Sequence, residues 1–201
     1  MISTEKNFIF IHVPKTGGNS IQDALRPFAD DDFVIAHASQ DGVERFGLKN
    51  PTYAELKKHS MLADYASALR PQLSQFQLFA TIRNPFDKLV SYYFSPHRGE
   101  VMWDADQFAA VIKTVPPLEH YTELATGTQP VQRIRFLRFE SLEEDFQNIC
   151  AELGISASVL HHRNKSNSRP KRDYTSCFSP DLIDWVQKTH AYEIKIGGYE
   201  V

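Results

Sequence analysis

The sequence predicts one α/β domain, with a mostly parallel central sheet flanked by helices on both faces. Short runs rich in β-branched and aromatic residues alternate with stretches whose apolar residues recur at helical spacing, and such alternation favours parallel pairing. The length of 201 residues suits one domain of this kind and is too short for two ordinary ones.

The elements follow in order. Residues 7–13, with Phe8-Ile9-Phe10-Ile11, read as a strand ending at Pro14. A helix over 20–26 stops before Pro27, and a short strand follows over 33–36. Helices are expected over 52–59 and 61–69, the second ended by Pro71. The central strand runs over 77–82 and feeds a helix over 85–94. Asn84 suits its N-cap, and Pro85 its first position, where the missing N–H has no intrahelical partner. Phe86, Leu89, Val90 and Tyr93 then form a core-facing stripe. Helices over 104–114 and 120–125 surround Pro116-Pro117. Residues 134–138 read as a strand, 142–153 as a helix with Cys150 on its apolar face, and 180–191 as a closing helix. The stretches 95–100 and 154–180 are expected to be mobile loops.

Composition narrows the class. Hydrophobic residues make up 42% and aromatics 12%, enough for a packed core. A net charge of −3 argues against general nucleic-acid binding, which shows a basic face. The basic residues are instead focused, with Lys165, Arg169, Lys171 and Arg172 crowded into one loop. Two cysteines make no disulfide framework, and no C-x-x-C spacing suggests zinc; no metal is expected. The N-terminus shows no signal peptide or membrane anchor, so a cytoplasmic location without a membrane partner is expected.

The chemistry concentrates in Val13-Pro14-Lys15-Thr16-Gly17-Gly18-Asn19-Ser20. A strand passes through a glycine turn into a helix start, where backbone N–H groups converge and the helix dipole adds positive charge to that of Lys15. Glycine permits close approach of the backbone to a phosphate or sulfate. The order differs from a nucleoside-triphosphatase loop, in which the lysine follows the glycines. A second strand-to-helix turn carries Arg83, with Ser91 about two turns further on. A guanidinium fork and a hydroxyl over one helix start suit a phosphate monoester.

The Lys15–Ser20 run resembles the phosphosulfate-binding loop of sulfotransferases that use 3′-phosphoadenosine 5′-phosphosulfate (PAPS). Arg83 and Ser91 resemble the pair that holds the 3′-phosphate in that family. The resemblance extends to Arg138-Phe139-Glu140, to the basic stretch 162–174 and to the terminal Gly197-Gly198-Tyr199. It is closest to soluble bacterial relatives of the glycan sulfotransferases. It implies a P-loop-like sulfotransferase fold and PAPS as co-substrate. Donor contacts would come from Lys15, Thr16, Gly17, Gly18, Asn19, Ser20, Arg83 and Ser91, with Lys165, Ser166 and Arg172 in a closing loop. Glu140 would cap or pair near the nucleotide, and the acceptor would be a hydroxyl of a carbohydrate or sugar-containing metabolite. A nucleotide kinase on a similar scaffold and a non-catalytic nucleotide-binding module are the alternatives.

Sulfuryl transfer needs a base for the acceptor proton, and histidine fits best. Of eight histidines, His12 reads as packed in a core strand and His190 as a helix-end residue suited to the dipole; His161 and His162 are adjacent, so at most one faces the nucleotide, and His97 and His120 have no supporting pattern. His37 and His59 remain. The turn Lys57-Lys58-His59-Ser60 resembles the one that brings the catalytic histidine to the cleft in these relatives, so His59 is placed ahead of His37.

Overall fold

Every residue of the strand Phe8–Ile11 (β2) is buried, so both faces of the sheet it belongs to are covered. The computed structural model describes residues 1–35, 44–48, 56–95, 101–124, 133–156, 160 and 174–200. Its main sheet has the order β1-β2-β5-β6, with β1 Ile2–Ser3, β5 Gln77–Ile82 and β6 Arg135–Arg138. The pairs β2–β5 and β5–β6 are parallel, and β1 adds an antiparallel edge. A separate antiparallel ribbon joins β3 Asp31–Ile35 to β4 Glu44–Leu48.

The two-residue period of the strands sorts side chains between two cores. Phe8, Phe10, Phe79 and Leu137 face helix α1 (Gly18–Leu25) and helix α6 (Leu142–Glu152), meeting Ile21, Leu25, Phe146 and Cys150. Phe10 stacks on Phe79 with ring centroids 5.2 Å apart. Ile9, Ile11, Leu78, Ala80 and Ile82 face the other way, onto α2 (Leu62–Leu69) and α5 (Glu119–Thr122). Burial of each of the Phe, Leu and Ile side chains is worth about 1.5–3 kcal/mol. A third cluster joins α3 (Pro85–Tyr93), α4 (Ala105–Ile112) and α7 (Pro180–Thr189). α8 (Ala191–Gly197) follows α7 directly.

Several expectations need correction. Of the expected helix over 52–59, residues 52–55 lie outside the described ones, and 56–59 form a turn rather than helix. The Ser60 hydroxyl accepts from the Lys57 N–H at 2.9 Å and closes that turn. The closing helix breaks at His190, and α8 is a second helix that the sequence reading did not separate. β1 and β4 were also missed, being two residues long and rich in polar residues respectively. Most of the loops expected over 95–100 and 154–180 lies outside the described residues, but 174–177 form a 3₁₀ turn. Neither Cys150 nor Cys177 is in a disulfide. Among the described residues no helix is long and apolar enough to cross a membrane.

Candidate active site

Parallel pairing of β2, β5 and β6 brings their carboxyl ends to one edge of the sheet, where an open α/β sheet places its ligands. The loop after β2 is wound tightly there. Lys15 has φ 66° and Gly17 φ 88°. For a lysine this left-handed conformation costs roughly 1 kcal/mol or more, a strain that marks functional turns. Gly17 is the N-cap of α1, no side chain caps that end, and its first turn carries no acidic residue. A Cβ on Gly17 would lie 2.9 Å from both Phe139 and Leu142, and one on Gly18 would run into the His12 ring. Both glycines are therefore required by their neighbours as well as by any ligand.

Thr16 turns inward. Its hydroxyl donates to the Val13 carbonyl at 2.7 Å and lies 2.6 Å from the Thr81 hydroxyl, pinning the loop to β5. What Thr16 offers a ligand is thus its main chain. Asn19 is half-buried, and Ser20 is buried with its N–H donating to the Gly17 carbonyl.

Arg83 extends from the end of β5 and is locked on three sides. Nε and a terminal nitrogen reach Asp87 Oδ2 at 2.6 and 2.5 Å, and another terminal nitrogen donates to the Lys15 carbonyl at 3.1 Å. Its guanidinium carbon lies 4.0 Å from the centre of the Phe139 ring, a cation–π contact from the end of β6. The arginine thereby braces the strained Lys15. Asn84 caps α3 as expected, its side chain accepting from the Phe86 N–H at 3.0 Å. Ser91 is half-buried, seven residues past this cap and on the same side of α3.

The cations crowd. The Lys15 ammonium donates to Ser95 Oγ at 3.4 Å and meets no carboxylate among the described residues. Burial, then the charge of Arg83, lowers its pKa to about 8. Lys58 is buried, and burial together with Lys15 brings its pKa to about 8 against the pull of Asp23. Sequence reasoning missed Lys58, Asp87 and Phe139. An i,i+4 Arg–Asp pair at a helix start could have flagged Asp87, whereas nothing local distinguishes Lys58 from Lys57.

His59 comes to the same edge. Its ring centroid lies 4.6 Å from that of His12, and Nδ1 donates to the His12 carbonyl at 2.9 Å. A carbonyl only accepts, so Nδ1 carries the proton and Nε2 keeps its lone pair when the ring is neutral. Desolvation in the packed surroundings and the charge of Lys58 push the His59 pKa well below the usual value, and the His12 hydrogen bond opposes this. The side chain still faces solvent, which tempers the fall. His12 is packed as expected, although its Nδ1 has no partner among the described residues. His190 closes α7 as expected, but it is buried there, and its Nδ1 faces Glu193 at 3.3 Å. Burial, with the charge of Lys88, lowers its pKa against the pull of Glu193, so its surroundings disfavour the charge that would suit the dipole.

Glu140 accepts from the Asn84 N–H and from the Tyr199 hydroxyl, each at 2.9 Å. A cavity of about 90 Å³ lies beside the loop, lined by Val13, Pro14, Lys88, Tyr92, Val115, Pro116 and Tyr121. Tyr93 belongs to the core instead, its hydroxyl donating to the Met102 carbonyl at 2.9 Å and its ring meeting Trp103 edge-on. His37, Lys165, Ser166 and Arg172 lie outside the described residues, as do His97, His161 and His162.

A strained, side-chain-uncapped helix start beside Lys15, Lys58 and Arg83 at the strand ends of an α/β sheet has the chemistry that suits a phosphate or sulfate group. The chain belongs to the sulfotransferase family, whose match covers residues 1–200. It is also similar to the crystal structure of a sulfotransferase from Alicyclobacillus acidocaldarius, at 16% identity over 97% of this chain and 96% of that one, with a TM-score of 0.46. No curated protein matches it.

Proposed function

We propose that this enzyme moves the sulfonate group of PAPS to a hydroxyl of a carbohydrate or sugar-containing acceptor. The observation that carries the reading is the Lys15 ammonium, held in a strained turn without a carboxylate among the described residues and braced by Arg83. Such a site suits a polyanion. Lys15, Lys58 and the N-terminus of α1 would receive the 5′-phosphosulfate. Arg83 and Ser91 would read the 3′-phosphate, with Lys165, Ser166 and Arg172 closing over the nucleotide.

In the transfer, the acceptor oxygen bonds to sulfur while the bond from sulfur to the bridging phosphate oxygen breaks. The acceptor proton passes to His59 Nε2, and the electron pair left on the bridging oxygen is stabilised by Lys15. The products are a sulfate ester and adenosine 3′,5′-bisphosphate. His59 alone is a weak base, but negative charge arriving with the donor offsets Lys58 and raises its basicity. Catalysis otherwise rests on in-line positioning and charge stabilisation, as in phosphoryl transfer. Two cysteines outside any disulfide accord with a cytoplasmic setting.

Labelled PAPS offered with simple sugar alcohols tests the reading, and a labelled sulfate ester is expected. Removal of a positioned base costs about 10²–10⁴ in rate. His59→Ala should lose transfer to that extent yet bind adenosine 3′,5′-bisphosphate as before, with His37→Ala losing less. Full transfer by the His59 variant would remove it as the base. Phosphate transfer from ATP, with none from PAPS, would reassign the protein as a phosphotransferase.

A further inference from the structure

The last residues of the chain do more than finish a helix. Gly198, at φ 62°, takes the left-handed position after α8. The Tyr199 N–H donates to the Ile194 carbonyl at 3.1 Å and the Gly198 N–H to that of Lys195 at 3.4 Å, the paired bonds of a Schellman turn. This turn folds the Tyr199 ring back over Gly197, where a Cβ would collide with it. The ring passes near the Arg138 guanidinium, 5.9 Å from its centroid, and the hydroxyl donates to Glu140 Oε2. The other oxygen of the same carboxylate accepts from the backbone N–H of Asn84. Asn84 immediately follows Arg83 and caps α3, and its side-chain amide donates to the Tyr174 hydroxyl at 3.4 Å. The chain end is thus wired to the turn that aims Arg83.

We infer that Tyr199 is a positioning residue: through Glu140 it fixes the Arg83–Asn84 turn and thereby sharpens selectivity for a 3′-phosphate. Glu140 is solvent-exposed, and one backbone N–H leaves its carboxylate free to rotate. A hydroxyl on the second oxygen removes that freedom and keeps the first oxygen on Asn84. Phe139, which covers the Arg83 guanidinium, adjoins Glu140, so two neighbouring residues of one turn hold the Arg83–Asn84 pair. The inference rests on reading Arg83 and Ser91 as the 3′-phosphate site.

The test compares the affinities of adenosine 3′,5′-bisphosphate and adenosine 5′-phosphate by calorimetry in the full chain. Tyr199→Phe keeps the ring and removes only the hydroxyl. It should narrow the preference for the bisphosphate about fivefold, the weight of one partly exposed hydrogen bond to a carboxylate, with the monophosphate affinity and the melting temperature unchanged. Gly197→Ala should act alike by displacing the ring, although alanine favours the helix. Because Tyr199 acts only through Glu140, Glu140→Ala and the double variant Glu140→Ala/Tyr199→Phe should coincide. A preference retained in Tyr199→Phe, equal losses for both nucleotides, or additive effects in the double variant would each overturn the relay. A parent protein without any preference for the bisphosphate would instead sink the 3′-phosphate reading, and the relay with it.

Discussion

Lys15 is half-buried near the end of α3 and Lys88 is fully buried within it, and the surroundings of the two lysines are opposite. Lys88 is 1% exposed, and its ammonium meets the equally buried Glu193 carboxylate, which also faces His190. Burial opposes the Glu193 charge, but Lys88 and His190 outweigh it and hold the carboxyl below its ordinary range. Lys15 has a hydroxyl and a neighbouring arginine instead. A buried charge answered by its opposite ties elements together, here α3 to α8. A buried charge set beside like charges costs stability and is kept for what binds there.

The same substitution at the two sites should separate these roles. Lys88→Met would strand Glu193 in the interior, and removing one partner of a buried pair costs about 3–5 kcal/mol. For a domain of this size that lowers the melting temperature by roughly 10 °C or more. Adding Glu193→Leu should recover much of the loss, which a calorimetric melt of both variants would show. A single variant as stable as the parent would mean that the pair holds nothing.

Lys15→Met should do the reverse. Transfer should fall by about 10²–10³, the usual cost of removing a group that stabilises developing charge, while the melting temperature holds or rises. A clear drop in melting temperature would make Lys15 another structural cation.

Acid sharpens the contrast on the Glu193 side. The folded pKa values of His190 and Glu193 both lie below their ordinary ones, so the unfolded chain binds more protons. Their stability is fully present above the unfolded values and is lost as pH falls through the folded ones. Melting temperature should therefore decline from about pH 6.5 downward, and His190→Gln should flatten the first part of that decline. A flat profile between pH 7 and 5 would remove the network from the account.

Alkali probes the Lys15 side, with the smallest effect. A bound anion raises the lysine pKa above about 8, so protons are taken up on binding near that pH. Affinity for adenosine 3′,5′-bisphosphate should fall above about pH 8, by up to roughly tenfold per unit for one linked proton, and Lys15→Met should weaken this dependence. Titrations in buffers of different ionisation enthalpy would reveal the uptake.

Local signals made part of this legible in the sequence. Asn84-Pro85 announced α3, and the glycine pair after a strand announced the Lys15 turn, because caps and turns are governed by adjacent residues. The Lys88–Glu193 pair was not legible, since its partners stand 105 residues apart and only packing joins them. Lys58 was hidden for the same reason. Its burial depends on a turn closed by Ser60 where helix was expected. His190 does stand at a helix end, but its burial against Glu193 depends on α8, which helical periodicity does not separate from α7.

The ribbon of β3 and β4 stands apart from the sheet that carries the cations. Among the described residues its strands pair only with each other, and they lie in the stretch between α1 and α2, ahead of the His59 turn. Extending or trimming such a hairpin shifts loop-closure entropy by only a few tenths of a kcal/mol for modest changes in length. A change of length between β3 and β4 should therefore carry a small entropic cost, and neither strand pairs with β2 or β5. The architecture separates a region that can tolerate changes of length from the sheet edge that carries Lys15 and Arg83.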